Sequence, residues 1–472
     1  MSDFLTAVEF CTSKVAVAVG QKEGSKIKVL SHVVTPIEKG VARGDIRTPQ
    51  VVVTALKCAI EQAEKECGQP ISNVILCQKS QFTHTCEYTV TSTRDLPTKE
   101  ITAKEIANLS RQALESPGDE GEHIFDAIAQ RYNIDDNIGL APDEVEGMTG
   151  YKVEAFFKLI IGSKTAYEQK RAVVERCIIR SSRLNIDHEI FSPAGTAMAV
   201  LSESEAENGA ALVDIGAGTT DVVIVKDKII RDIAVIPFGG NTITGDIKQV
   251  NCITGEMAEY IKTKYGNCID EGIPDNKKLV IEGVGGNEDT NIPLVLLARV
   301  IEARMSEIFD AVLYTIDHAG YEGKLRGGLV ITGGGCLMDG TRTLALAMSG
   351  CNARLSTIQG GITGDSPESC FDVTAASLMG ALIEGFGHYD KIISARKSKS
   401  QPTNLLYAMD RAIVNDAESD YEEEIQEPQK RPQEPKKGGL FGRGSKKKEQ
   451  KSEGSNFIDG VINFFNTDNN EA

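Results

Sequence analysis

One pattern limits what this chain can become: "VEFCTSKVAVAV" near the start returns midway along as "VDIGAGTTDVVIV", each a strand, a short turn and a second strand. A hairpin written twice implies a duplicated sheet unit, and so a body of two halves. The first copy lies in a meander of "LTAVEF", "KVAVAVG" and "KIKVLSHVV", β-branched runs parted by short polar turns. A helix-period stretch follows, "QVVVTALKCAIEQAEKEC", with Val53, Leu56, Ile60 and Ala63 on one face, and then the buried-looking strand "NVILC". The second copy opens the same kind of meander, "ALVDIGAGTTDVVIVKDKIIRDIAVIPFGG".

At 472 residues the chain exceeds one ordinary core, so two or more lobes of roughly 100 to 200 residues are expected. A net charge of -17 argues against nucleic-acid binding by the body, so any bound anion must meet a local site. The eleven cysteines are scattered singly, with neither a CxxC pair nor a nearby His at ligand spacing, which suits a reducing compartment. The start, "MSDFLTAVEF", lacks a basic n-region and an apolar h-region, and nowhere do about 18 apolar residues run together. Neither a signal peptide nor a spanning helix is expected, and any membrane contact would be from the inside.

Between about Gln81 and Phe157 the pattern changes. The alternating "FTHTCEYTVTST" and the polar helix candidate "TAKEIANLSRQALES" read as a small inserted α/β module. Two later stretches read as helices, "SKTAYEQKRAVVERCIIRSS" and "NTITGDIKQVNCITGEMAEYIKTKYG".

The second hairpin carries chemistry. Gly216 and Gly218 allow a tight turn, Thr219 and Thr220 add hydroxyl and amide donors, and the turn can wrap a phosphate with backbone N–H groups. Asp214, at the strand end, is placed to hold a hydrated Mg²⁺ against those phosphates. An ordinary hairpin with glycines that serve only its geometry fits the same residues. Further on, "GGLVITGGGCLMDGTRTLA" runs a strand into Gly333, Gly334 and Gly335, a turn that lets backbone approach a flat or phosphorylated ligand. A loop without a ligand is again the alternative, but successive glycine turns in this order are harder to dismiss.

Taken together, the set resembles the actin, Hsp70 and sugar-kinase superfamily, with phosphate-1 at Glu9 to Val15, phosphate-2 at Asp214 to Asp221 and the adenosine motif at Gly327 to Gly335. Within it the chain is similar to the FtsA family of bacterial cell-division proteins. "KGVARGDI", "AVIPFGGNTITGDI", "MAEYIKTKYG", "IEARMSEIFD" and "LVITGGGCLMDG" carry that resemblance, in family order, over roughly residues 5 to 390. It implies a two-lobed actin-like α/β ATPase fold with an inserted α/β subdomain. The first lobe core would be 1–80 and 166–203, the insert 81–165, the second lobe core 204–250 and 320–392, and its smaller subdomain 251–319. ATP and Mg²⁺ would lie in the cleft against Thr12, Ser13, Lys14, Asp214, Gly216, Gly218, Thr219, Thr220, Gly239, Gly240 and the triple glycine, with Lys262 near the nucleoside and Glu9 a second holder of Mg²⁺ through water. It further implies actin-like self-association, binding of the FtsZ C-terminal tail through 251–319, recruitment of downstream division proteins, and a place on the cytoplasmic side of the cell membrane at the division site.

Two departures bear on mechanism. The family's phosphate-1 reads Asp-x-Gly-Thr, whereas this chain has Glu9-Phe10-Cys11-Thr12. Where the family has a Glu-Pro pair opening a helix, this chain has Ser192-Pro193, and a hydroxyl is a poor substitute for a carboxylate that orients water. Nucleotide is therefore expected to control conformation and assembly, with hydrolysis slow or absent.

From 393 to 454 the composition turns to Pro, Gly and charge and reads as a disordered linker, acidic at Glu422 to Glu424 and basic from Lys436 to Lys451. The terminal 455–467 closes with an amphipathic helix: Phe457, Ile458, Val461, Ile462, Phe464 and Phe465 share one face. Behind a basic run, such a face suits an anionic membrane surface, though a groove on the body or on a partner would accept it too. A sugar-kinase-type enzyme and a pilus-assembly relative acting through an inner-membrane partner are the rival readings.

Overall fold

The computed structural model describes residues 4–281, 289–392 and 394. The expected linker, residue 394 apart, and the terminal helix at 455–467 lie outside the described residues. The duplicated hairpin becomes a duplicated sheet. The first has five strands in the order Asn185–Phe191, Asn73–Gln78, Phe4–Phe10, Lys14–Glu23, Lys26–Pro36. The second, from its opposite edge, runs Ala353–Leu355, Gly328–Thr332, Ala210–Ile215, Thr220–Lys226, Ile229–Ile236. In both, the central strand pairs antiparallel with its hairpin partner and parallel with the strand on its other side.

Such strands are covered on both faces, which is why they read as nearly unbroken apolar runs. Along Phe4–Phe10, Val8 and Phe10 enter a core with helix Pro49–Cys67, while Leu5 and Ala7 enter another with helix Ala376–Gly387. Along Ala210–Ile215, Ala211, Val213 and Ile215 face one core, and Ala210 and Leu212 the other. Pro49 pre-sets the first turn of its helix, and Gly68 ends it in the left-handed region at φ 67°. Its buried face includes the expected Leu56, Ile60 and Ala63 and widens to Val52, Ala55 and Ala59, leaving Val53 half-buried at the rim.

The insert is a four-stranded antiparallel sheet, ordered His84–Thr93, Lys152–Ser163, Glu122–Ile134, Asn137–Leu140, covered by helix Ala103–Leu114. A capping box starts that helix: the Thr102 side chain accepts from Glu105 N, and the Glu105 carboxylate accepts from Thr102 N. Thr102→Ala is expected to destabilise the protein by about 1 kcal/mol, read by urea unfolding.

Two helices end earlier than expected. The first spans Lys164–Arg176 rather than reaching Ser182, because Cys177 and Ile179 are drawn into the first-sheet core. The chain then reverses through Arg180 and Ser181, at φ 47° and 69°. The second divides into Gly240–Asn251 and Gly255–Tyr265. Cys252 takes a left-handed conformation at φ 51°, and Thr254 starts the next helix by accepting from Met257 N. Hairpin Lys278–Ile281 with Thr290–Pro293 and the long helix Leu294–His318 complete that region.

Helix Ser192–Val200 leads from the first sheet toward the second, and Ala376–Gly387 leads back. They cross at Gly195 and Gly380, where a Cβ on Gly380 would collide with the Gly195 carbonyl. All eleven cysteines are free thiols. Among the described residues, no helix is long and apolar enough to cross a membrane.

Candidate nucleotide cleft

The two hairpin turns meet at the crossing of the lobes. In the first, Cys11 N donates to Lys14 O at 2.9 Å, and in the second Gly216 N donates to Thr219 O at 2.9 Å. Gly218 packs directly on the Thr12 side chain, so a Cβ there would strike the Thr12 hydroxyl. Gly239 and Gly240 lie under the second turn: Gly240 N donates to Gly216 O at 2.9 Å and Asn241 N to Ala217 O at 2.7 Å. The amides opening helix Gly240–Asn251 thus hold the turn in shape. Lys262 supports them from behind, donating to Gly240 O, Thr244 Oγ1 and Glu259 Oε2 at 3.0, 2.8 and 2.7 Å. Burial pulls its pKa down, against the pull of Glu259.

The third turn closes on the same point. Gly333, at φ 84°, rests against the Asp214 carboxylate and the Ile215 carbonyl, where no side chain fits, and Gly335 rests on Ile215. Gly334 faces Thr374, whose carbonyl accepts from Lys14 Nζ at 2.7 Å. Gly333→Ala is expected to cost about 2 kcal/mol of stability, whereas Gly245→Ala, with nothing within 4 Å of its would-be Cβ, is expected to be neutral. Urea unfolding of both variants checks this. Thr219 is buried, and Thr220 Oγ1 donates to Phe238 O at 2.9 Å, so that hydroxyl holds the fold. Ser13 joins through its carbonyl, which accepts from Ile37 N.

Four residues that pattern reading did not single out complete the site. Lys79, just past strand Asn73–Gln78, donates to Asp221 Oδ2 at 2.9 Å, an ion pair joining the first lobe to the second. Asp221 is 2% exposed, and its Oδ1 has no hydrogen-bond partner. Burial pushes the Asp221 carboxyl up, and burial together with the Asp221 charge pushes Asp214 up to about 7. Burial alone would lower the Lys79 ammonium, but Asp221, Asp214 and Glu9 outweigh it and hold it above the ordinary lysine range. Lys170, 1% exposed, donates to the Lys79 carbonyl at 2.5 Å, and burial with the Lys79 charge pulls it down to about 8. The fourth is Ser377. Glu9 Oε1 accepts from Ser192 Oγ at 3.0 Å and also from Ser377 Oγ.

Asp221 lay within the quoted motif, and Lys79 followed an apolar strand, the usual place for a side chain emerging into a cleft. Lys170 and Ser377 had no local signal. The chemistry of the set fits a hydrated divalent cation: hard carboxylate oxygens, one of them buried and unpartnered, beside backbone that only glycine allows.

Duplicated five-stranded sheets, joined by crossing helices over a cleft walled by glycine turns, define a protein of the actin-like ATPase fold. The solved "PilM-PilN type IV pilus biogenesis complex" shares it, with a TM-score of 0.56 at 13% identity over 81% of this chain and 98% of that one. Residues 211–380 match the family model "Cell division protein FtsA". The FtsA of Neisseria meningitidis serogroup B is 30% identical over 343 residues, 71% of this chain and 80% of the relative. That of Streptococcus pneumoniae serotype 2 is 28% identical over 75% of each. This chain belongs to the FtsA family and is an actin-like cell-division protein.

Proposed function

We propose that the chain binds ATP with Mg²⁺ in this cleft, associates with copies of itself on the cytoplasmic face of the membrane at the division site, and tethers the FtsZ ring there. The observation that carries the nucleotide part is the buried, unpartnered Asp221 Oδ1 beside Asp214, beneath turns whose glycines admit no side chain. When bound, Mg²⁺ would supply positive charge against phosphate oxygens. Asp214 and Asp221 would hold it through water, Lys14 and the amides of the hairpin turns would bind phosphate, and Gly333 to Gly335 would lie along the nucleoside. Glu9 is less available to the cation, because its Oε1 already accepts two serine hydroxyls. Hydrolysis, on this reading, is slow, and the bound state governs assembly.

The membrane part rests on the sequence of 455–467, and the FtsZ and downstream-protein contacts rest on family membership, with 251–319 as the FtsZ-tail surface. Flotation with anionic liposomes tests the tether, comparing the full chain with one ending after Lys451, each with and without Mg-ATP. Only the full chain is expected to float, and more so with Mg-ATP, since self-association multiplies weak anchors. Equal flotation of both, or of neither, would overturn the anchor and favour a pilus-type role through a protein partner.

A further inference from the structure

The clasp of Glu9, Ser192 and Ser377 has a geometry beyond what holding a strand requires. Glu9 is the last but one residue of the central strand of the first sheet, two residues before the first phosphate turn, and is 6% exposed. Ser192, 2% exposed, is the first residue of one crossing helix, and Ser377 is in the first turn of the other. Both hydroxyls point at a single oxygen, Oε1, and Ser192 Oγ lies 2.5 Å from Ser377 Oγ. Oε2 stays outside this clasp. The Cys11 side chain also hydrogen-bonds to Glu9, and burial together with that carboxylate pushes its thiol up to about 12. Of the cleft carboxylates, Asp221 is taken by Lys79, and Asp214 lies against Gly333. Glu9 is held at Oε1 by both serines and, like Asp214, is free of an ion pair among the described residues.

We propose that Glu9 orients the attacking water in ATP hydrolysis, with Ser192 and Ser377 as positioning residues that aim it from the two crossing helices. The proposal rests on the cleft binding ATP. In the step, Oε2 accepts a hydrogen bond from water; the water oxygen bonds to the γ-phosphorus as the bond from that phosphorus to the bridging oxygen breaks. The electron pair leaves on ADP, and the water's proton departs with the released phosphate. Two hydroxyl donors on Oε1 draw charge from the carboxylate, which is consistent with slow turnover. Since each serine sits on a different crossing helix, a change in their angle would re-aim Oε2. Hydrolysis is thereby tied to lobe position.

The test uses the full chain with Mg-ATP and follows three readouts: affinity for a fluorescent ATP analogue, phosphate release, and the nucleotide recovered after denaturing the protein. Glu9→Gln is expected to slow phosphate release by about a hundredfold with analogue affinity retained, so that ATP rather than ADP is recovered. Ser192→Ala and Ser377→Ala are expected to give smaller losses, and their double variant a loss less than the product of the two, because both act through one oxygen. Should Glu9→Gln fail to fold, the serine pair carries the test. Phosphate release by Glu9→Gln at the parent rate would overturn the proposal, as would analogue binding by the parent without any phosphate release. Loss of analogue binding in the parent would instead sink the nucleotide reading itself.

Discussion

Replacing Lys79 with methionine is expected to lower stability by about 3–5 kcal/mol near neutral pH, measured by urea unfolding in the presence of a chelator. The Lys79 ammonium pairs with a carboxylate that is 2% exposed, with Asp214 and Glu9 close enough to raise its pKa further. Methionine fills much the same space, so what remains is unbalanced buried charge. The pH dependence follows from the directions of the shifts. Asp214 is held up to about 7 by burial and by Asp221, and Asp221 is held up by burial, so in the folded state both take up protons at a higher pH than in the unfolded chain. Each therefore destabilises increasingly as pH rises from its unfolded value through its folded one. Losing Lys79 raises them further. The gap between parent and variant is thus expected to be widest above pH 7 and to narrow as the pH falls toward 5. A gap that stayed constant across this range would mean that Lys79 acts through packing.

Gly380→Ala is expected to have the second largest effect, about 3 kcal/mol, with Gly387→Ala as a harmless neighbour. The added methyl at 380 meets the Gly195 carbonyl, whereas nothing lies within 4 Å of the position it would take at 387. Relief would require moving one of the two helices that join the lobes. The variant should therefore also open the cleft, seen as a loss of the Lys79–Asp221 link and as faster amide exchange in the strands flanking the turns. If Gly380→Ala unfolds like the parent, the crossing is looser than its backbone contact implies.

Local chemistry carried much of the fold. Strands covered on both faces have no need of polar alternation, so Val15 to Val19 and Leu212 to Val213 show themselves as apolar runs, and their glycine turns stand out between them. Repetition of the hairpin then fixed the likeness of the two sheets. Helix ends were less readable. "VVERCIIRSS" keeps an apolar period past Arg176, but Cys177 and Ile179 leave the helix because a core built by Val8, Leu56 and Val74 receives them. At Cys252 the break did have a local sign, the Thr254-Gly255 start, which the surrounding helix period outweighed.

In the cleft the division is similar. Backbone requirements of the turns can be read from glycines, whereas the pairing of charges depends on folding. Lys79 meets a carboxylate 142 positions away, and Ser377 meets Glu9 across 368. No period or spacing encodes such contacts. Lys170 is similar: a lysine in a polar helix looks solvated until the fold brings it beneath the Lys79 carbonyl.

Helix Ala376–Gly387 supplies Leu378, Met379 and Leu382 to the face of the first sheet that also holds Leu5 and Ala7. The beginning of the chain therefore waits for its end. During synthesis the opening strands leave the ribosome tens of seconds before that helix exists, at about 5–20 residues per second. Throughout that interval one side of the nascent sheet is greasy and bare. A chain that stops ahead of residue 376 is expected to leave that side uncovered for good, seen as increased binding of a hydrophobic dye.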